Sequence, residues 1–311
     1  MLLSKSVHPN GKTVEAFMKL HRTLLFAPAT RPELLAKAQD SQADALIFDL
    51  EDSVPLQAKD QAREHVTQAF RQGLKKPVFL RLNHPRAGDC RTDLKTLCAG
   101  PVPNLAGVIL PKAESPRDIE QLSLWLSELE ASAGWSEGCL KILPLVETCL
   151  GLRNTFDLAQ ASPRVCGMSL ASAEQGDFMV DLGGRWTPGS LALTYPRSKM
   201  VVDARAARLQ WLVDGVFMNL RETDALHKEC SLARELGFVG KMAIHPSQLD
   251  VMHQVFSPSA DEIRYAKGLV QAFREAEALG IGAVRYEGMM VDYANVRLAE
   301  RTLSLAEDGL T

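Results

Sequence analysis

A chain of 311 residues, 46% hydrophobic and 23% charged, has the composition of an ordinary globular protein and can bury a large core. A formal net charge of −3 offers no basic stripe for nucleic acid, and no apolar segment approaches the roughly 18 residues of a membrane span. Six cysteines without a C-x-x-C pair argue against a zinc cage and disulfides, and the start MLLSKSVHPNGK lacks the apolar stretch of a secretory signal, so a cytoplasmic address is expected by default.

Residues 1–21 read as a polar arm. Its Gly11-Lys12-Thr13 has neither the first glycine nor the preceding strand of a phosphate loop. Arg22 then introduces TLLFAP, the first expected strand, and a helix follows with Thr30 as N-cap and Pro32 in the first turn. The second strand, ALIFDLED, ends in Asp49, Glu51 and Asp52, too many acids for a packed interior unless they face a pocket or water. After a helix over about residues 55–71 comes PVFLRLN. Its Arg81 needs a buried anionic partner, because an unpaired internal charge is costly; on an edge strand it would face solvent instead.

The fourth strand, AGVILPK, ends in Lys112 and leads into a helix near residues 115–132. KILPLV and RVCGMSL are the fifth and sixth, and each delivers acids just past its end: Glu147 after the first, Glu174 and Asp177 after the second. A Gly, Pro and Trp loop precedes Tyr195-Pro196-Arg197-Ser198 and a helix through Leu209. DGVFMN is read as the seventh strand and GKMAIHP as the eighth, with His245 in a helix-entry role in preference to catalysis. Residues 259–279 read as the eighth helix, and a last helix begins near Asp292.

Eight apolar runs with helix-compatible segments between them close most naturally into a (β/α)8 TIM barrel, the alternative being an open doubly wound sheet. The expected organisation is an arm (1–21), a barrel (22–280) and a helical extension (281–311) that packs on a neighbouring subunit or caps the pocket. Loops after the strands' carboxyl ends are where barrels gather chemistry. Glu147 and Asp177 are hard oxygen ligands suited to Mg²⁺, with Glu174 competing for the second place. Acids at strand ends also serve as helix caps and ion-pair partners, so residue type alone leaves that reading open.

The elements RTLLFAPATRPELLAKA, ADALIFDLEDSVP, RLN, GVILPK, LPLVETCLG, DFMVDLG, YPRS, GFVGKMAIHPSQ and GMMVD, in this order, resemble the citrate lyase β-subunit family of acyl-CoA lyases from Arg22 to the end of the chain. The resemblance implies a Mg²⁺-dependent barrel that cleaves the carbon–carbon bond of 3-hydroxyacyl thioesters, assembled as a homo-oligomer, commonly a trimer. It implies Glu147 and an acid of the A-E-D motif as metal ligands. Here that motif reads Ala173-Glu174-Gln175-Gly176-Asp177, two residues longer, and the retained D-x-x-x-D-L-G spacing assigns the role to Asp177.

By the same resemblance Arg81 faces substrate oxygens, and Asp292 reaches into a neighbouring subunit's site to protonate the product enolate, although the proline usual after its motif is absent. Glu51 joins Arg81 and Asp292 as a catalytic candidate; Arg22, Lys112 and Arg197 match positions lining or supporting the pocket. Arg31, Lys37 and Lys59 are further candidates for the phosphates of an acyl-CoA. The expected substrate is (S)-citramalyl-CoA. A citryl thioester, malyl-CoA, and a barrel that kept the fold but lost activity are the alternatives.

Overall fold

The computed structural model describes residues 20–97, 102–187, 189 and 191–310. Residues 1–19, with most of the expected arm and the Gly11-Lys12-Thr13 motif, and Cys98 lie outside the described residues. Eight parallel strands form a closed barrel in sequential order: β1 (Thr23–Pro28), β2 (Ala45–Asp49), β3 (Val78–Arg81), β4 (Leu105–Leu110), β5 (Lys141–Val146), β6 (Gly167–Leu170), β7 (Trp211–Asp214) and β8 (Gly240–Ala243). β8 pairs back onto β1, with Lys241 opposite Thr23, and this closes the ring. The open-sheet alternative is thereby excluded.

The helices are α1 (Pro32–Gln39), α2 (Lys59–Gln72), α3 (Cys90–Leu94), α4 (Pro116–Ala133), α5 (Cys149–Arg153), α6 (Thr155–Gln160), α7 (Asp177–Leu182), α8 (Leu191–Ala206), α9 (Thr223–Leu236), α10 (Leu249–Phe256), α11 (Ala260–Ala278) and α12 (Tyr293–Leu310), with a two-stranded hairpin, β9 (Val284–Tyr286) and β10 (Met289–Val291), before the last. Among the described residues no helix is long and apolar enough to cross a membrane.

Period-2 alternation sorts the side chains of each strand. Leu24, Ala45, Ile47, Phe79, Ile109, Leu143, Leu145, Trp211, Val213 and Met242 fill the barrel's interior. Their neighbours Leu46, Phe48, Leu80, Val108, Ile142, Leu212 and Ala243 face outward into the larger core beneath the helices. The same parity places Asp49, Arg81 and Glu147, two residues beyond Ile47, Phe79 and Leu145, at the carboxyl-end mouth of the interior, because odd and even positions cannot exchange faces along a regular strand.

Several boundaries differ from the sequence reading, and β2 and β8 end earlier, at Asp49 and Ala243. The seventh strand is Trp211–Asp214, and most of DGVFMN is the loop beyond it. Gly215 at that exit packs so closely on the chain leaving β6 that a Cβ would sit 2.4 Å from the Ser172 nitrogen, which requires glycine there. Arg31, not Thr30, occupies the N-cap of α1, and no side chain caps it. α8 starts at Leu191 and carries Pro196 internally. The barrel's eighth helix is α10; α11 instead shares Ala266, Leu269, Val270 and Phe273 with Val291, Val296 and Ala299 of the hairpin and α12, in an apolar cluster of its own.

Candidate active site

The acids that follow β2 are held in a tight turn rather than left to solvent. Asp49 accepts from the backbone N–H groups of Glu51 (2.9 Å) and Ser53 (3.3 Å). Buried Lys59 donates to the carbonyls of Leu50 and Glu51 and to Asn83, so it secures this turn and is not free for phosphate. Arg81 lies across the turn and finds the anionic partner it needs in Asp49, with two 2.7 Å hydrogen bonds. Its third nitrogen is 3.1 Å from Glu51, and its guanidinium stands 5.0 Å from the centre of the Phe26 ring.

On the other side of the mouth, Glu147 continues β5 inward and is 4% exposed. Asp177 opens α7, with Gly176 at the N-cap. One carboxylate oxygen from each of Asp52, Glu147 and Asp177 lies within 4.8 Å of the others. Glu147 and Asp177 were expected together; Asp52, read only as one of the acids after the second strand that face a pocket or water, joins them. Its signal was the crowding of acids after β2, which did not say which acid would turn toward β5. Glu174 is exposed and lines a separate cavity with Trp186, Phe217 and Asn219, so it does not join the three.

Lys112 stands in the middle of these acids. Its backbone N–H donates to Glu147 (3.1 Å), and its ammonium reaches Glu51 at 2.6 Å and Asp52 and Asp177 at 3.2 Å each. Among the described residues, the cations that face the carboxylates of Asp49, Glu51, Asp52, Glu147 and Asp177 are Arg81 and Lys112, a formal local charge of −3 from five acids and two bases. Burial, and then the charge of Glu51, push Glu147 up to about 7, and burial raises Glu51. Three hard oxygen donors on a site deficient in positive charge fit a divalent cation of the Mg²⁺ type.

The remaining expected residues lie elsewhere. Arg22 precedes β1, at the amino-end rim opposite the mouth, and forks onto Asp44 with a further bond to Ser257. Arg197 is fully buried between the outer barrel wall and the helices, where it binds Asp214 and Glu229, and Lys241 bridges the same two acids. Both arginines are engaged with carboxylates away from the cluster. An Arg in an apolar helix can face either a ligand or an internal acid, and its sequence spacing does not distinguish the two. Arg31 is exposed and paired with Glu33. His245 accepts from the Ser247 N–H at the entry to a short helix, in a capping role.

Asp292 is exposed in the single chain and accepts from the Ala294 N–H (2.8 Å) at the start of α12. Its carboxylate's hydrogen-bond partners among the described residues are local, Ala294 and Asn295 of α12. The Cys149 thiol is raised by burial and by the Asp181 carboxylate, which leaves it unsuited to act as a nucleophile.

The sequence profile described as HpcH/HpaI aldolase/citrate lyase matches residues 22–246, and a profile for a carbon–carbon bond lyase of the TIM-barrel fold matches residues 193–308. The chain is 32% identical over 295 residues to the citrate lyase subunit beta of Haemophilus influenzae, covering 94% of this chain and 99% of that protein. It is 30% identical to the mitochondrial citramalyl-CoA lyase of Homo sapiens, covering 92% and 85%. Among solved structures, CitE from Mycobacterium tuberculosis in complex with magnesium, acetoacetate and coenzyme A superposes with a TM-score of 0.72 at 28% identity, covering 93% of this chain and 98% of that one. A carboxylate cluster at the mouth of a sequentially closed barrel, and sequence similarity along nearly the whole chain, lead to one assignment: this protein belongs to the HpcH/HpaI aldolase/citrate lyase family of carbon–carbon lyases.

Proposed function

We propose that this chain is a Mg²⁺-dependent lyase of 3-hydroxyacyl-CoA thioesters, with (S)-citramalyl-CoA, split into acetyl-CoA and pyruvate, as its substrate. The observation that carries the reading is the convergence of Asp52, Glu147 and Asp177 beside Arg81 at the barrel mouth. These three acids would hold the cation. When bound, Mg²⁺ supplies Lewis-acid polarisation of the hydroxyacid's oxygens. The lengthened Ala173-to-Asp177 segment still brings Asp177 to the cluster, which counts against a barrel that has lost activity.

The protein's own groups divide the remaining work. Asp49 holds the Arg81 guanidinium by its Nε and one Nη, and Glu51 stands 3.1 Å from the third nitrogen, so Arg81 is a fixed cation beside which oxyanion charge would develop, a contribution commonly of a few kcal/mol per donor. Glu51, raised by burial, takes the hydroxyl proton. The C–C bond electrons then move into the acetyl thioester as its enolate while the oxoacid leaves. Asp292 of a neighbouring subunit returns a proton to the enolate carbon, in a homo-oligomer, a trimer in this reading, in the cytoplasm.

A citryl substrate carries a second carboxylate where citramalyl carries a methyl, and so needs one more cation. Among the described residues the cations that pair with the cluster are Arg81 and Lys112, both already engaged, which favours the methyl. The test is a panel of citramalyl-, malyl- and citryl-CoA with and without Mg²⁺, following acetyl-CoA and oxoacid, with free CoA thiol measured separately to detect hydrolysis. Mg²⁺-dependent release of acetyl-CoA and pyruvate from citramalyl-CoA is expected. Release of free thiol alone, or no reaction with any member, would overturn the proposal.

A further inference from the structure

Lys112 has a backbone conformation that L-residues seldom adopt, with φ +46°. Such a conformation persists only where the surroundings over-determine it, and here both ends of the residue are held. Its N–H points at Glu147, and its half-exposed ammonium lies among Glu51, Asp52 and Asp177. Lys112 therefore touches all three of the acids that converge on one point, two through its positive charge and one through its backbone. A divalent cation drawn to those same oxygens meets an ammonium already bound to two of them.

We propose that Lys112 is the metal site's internal counter-ion: without metal its ammonium holds Asp52 and Asp177 together, and a divalent cation binds by displacing it from them. This rests on the metal reading of the cluster given above. Three consequences follow from charge. The ammonium keeps mutually repelling carboxylates gathered in the empty site. It lowers the site's affinity, since it must give up two ion pairs and then remains as a like charge beside the cation. Its strong bond to Glu51 gives it a place to stay after release, so the exchange needs only a shift of the side-chain tip while the backbone N–H remains on Glu147.

The test is titration of the full chain with Mn²⁺, followed by calorimetry and by the electron paramagnetic resonance of free Mn²⁺, in wild type, Lys112→Met, Lys112→Gly and Glu147→Gln. Lys112→Met removes the charge and keeps most of the bulk. Lys112→Gly suits the positive φ and covers the case in which the first variant folds poorly. Both are expected to bind Mn²⁺ about tenfold or more tightly than wild type. In EDTA both should melt at a lower temperature than wild type, and both should gain more from added Mg²⁺. Unchanged or weaker Mn²⁺ binding in the lysine variants, with normal binding in wild type and none in Glu147→Gln, would overturn the counter-ion role while leaving the metal site standing. Equal Mn²⁺ binding in wild type and Glu147→Gln would overturn the metal reading itself, and the counter-ion with it.

Discussion

Glu147→Gln in the metal-free protein tests whether the cluster is short of positive charge. Glu147 is 4% exposed, and burial first, then the neighbouring Glu51 carboxylate, carry its carboxyl from 4.5 to about 7. Between those values the folded protein keeps a proton that the unfolded chain has released. Stability contributed by protonated Glu147 is therefore present below pH 4.5 and is lost as pH rises through about 7. The gap amounts to on the order of 3 kcal/mol, which over 311 residues at about 2.1 cal/mol/K each is roughly 5 °C in Tm. The substitution removes the charge and keeps an oxygen to accept the Lys112 N–H. In EDTA the variant should melt about 5 °C above wild type at pH 8 and close to it at pH 5. Mg²⁺ should raise the wild-type Tm at pH 8 and leave the variant's unchanged. An identical Tm for the two proteins at pH 8, or an equal gain at both pH values, would refute the reasoning.

The buried quartet of Arg197, Asp214, Glu229 and Lys241 predicts that Asp214→Asn, which strands two cations on one acid, costs about 3–5 kcal/mol, measurable by urea unfolding at neutral pH. Arg197→Met should likewise act on stability; a raised KM with unchanged stability would return Arg197 to the substrate. Asp292→Asn should preserve the fold, because Asn is as good an N-cap for α12, and should leave Mn²⁺ binding intact while lowering turnover by about 10²-fold or more. Mixing Asp292→Asn protomers with Glu147→Gln protomers after subunit exchange should restore about a quarter of wild-type activity, the statistical share of sites with one intact residue from each chain. No recovery would place the proton donor within the same chain or elsewhere.

The two kinds of information divided along physical lines. Strand existence and order were legible because a parallel strand buried on both faces must be an apolar run, and eight such runs announce a barrel. Parity adds to this only once the structure shows which positions are interior: Asp49, Arg81 and Glu147 lie two residues past Ile47, Phe79 and Leu145 and so face the mouth. The register at strand ends was less visible. WLVDGVFMN is apolar on both sides of Gly215, so its pattern does not show that β7 stops at Asp214. Helix-forming pattern alone also failed to separate α10 from α11, since both are amphipathic and only packing assigns one to the barrel and the other to the hairpin and α12.

At the site, residue type and position past a strand offered Glu147, Glu174 and Asp177 as candidate oxygen ligands, and the family resemblance chose Glu147 and Asp177 among them. The remainder depends on distances between residues far apart in sequence. Asp52 joins the cluster and Glu174 does not, Lys112 lies among the acids, and Lys59, Arg22 and Arg197 are held by internal partners. A charged side chain states its sign in the sequence. Which opposite charge neutralises it is set by the closure of the barrel, which brings the ends of β2, β3, β4, β5 and β6 to one place.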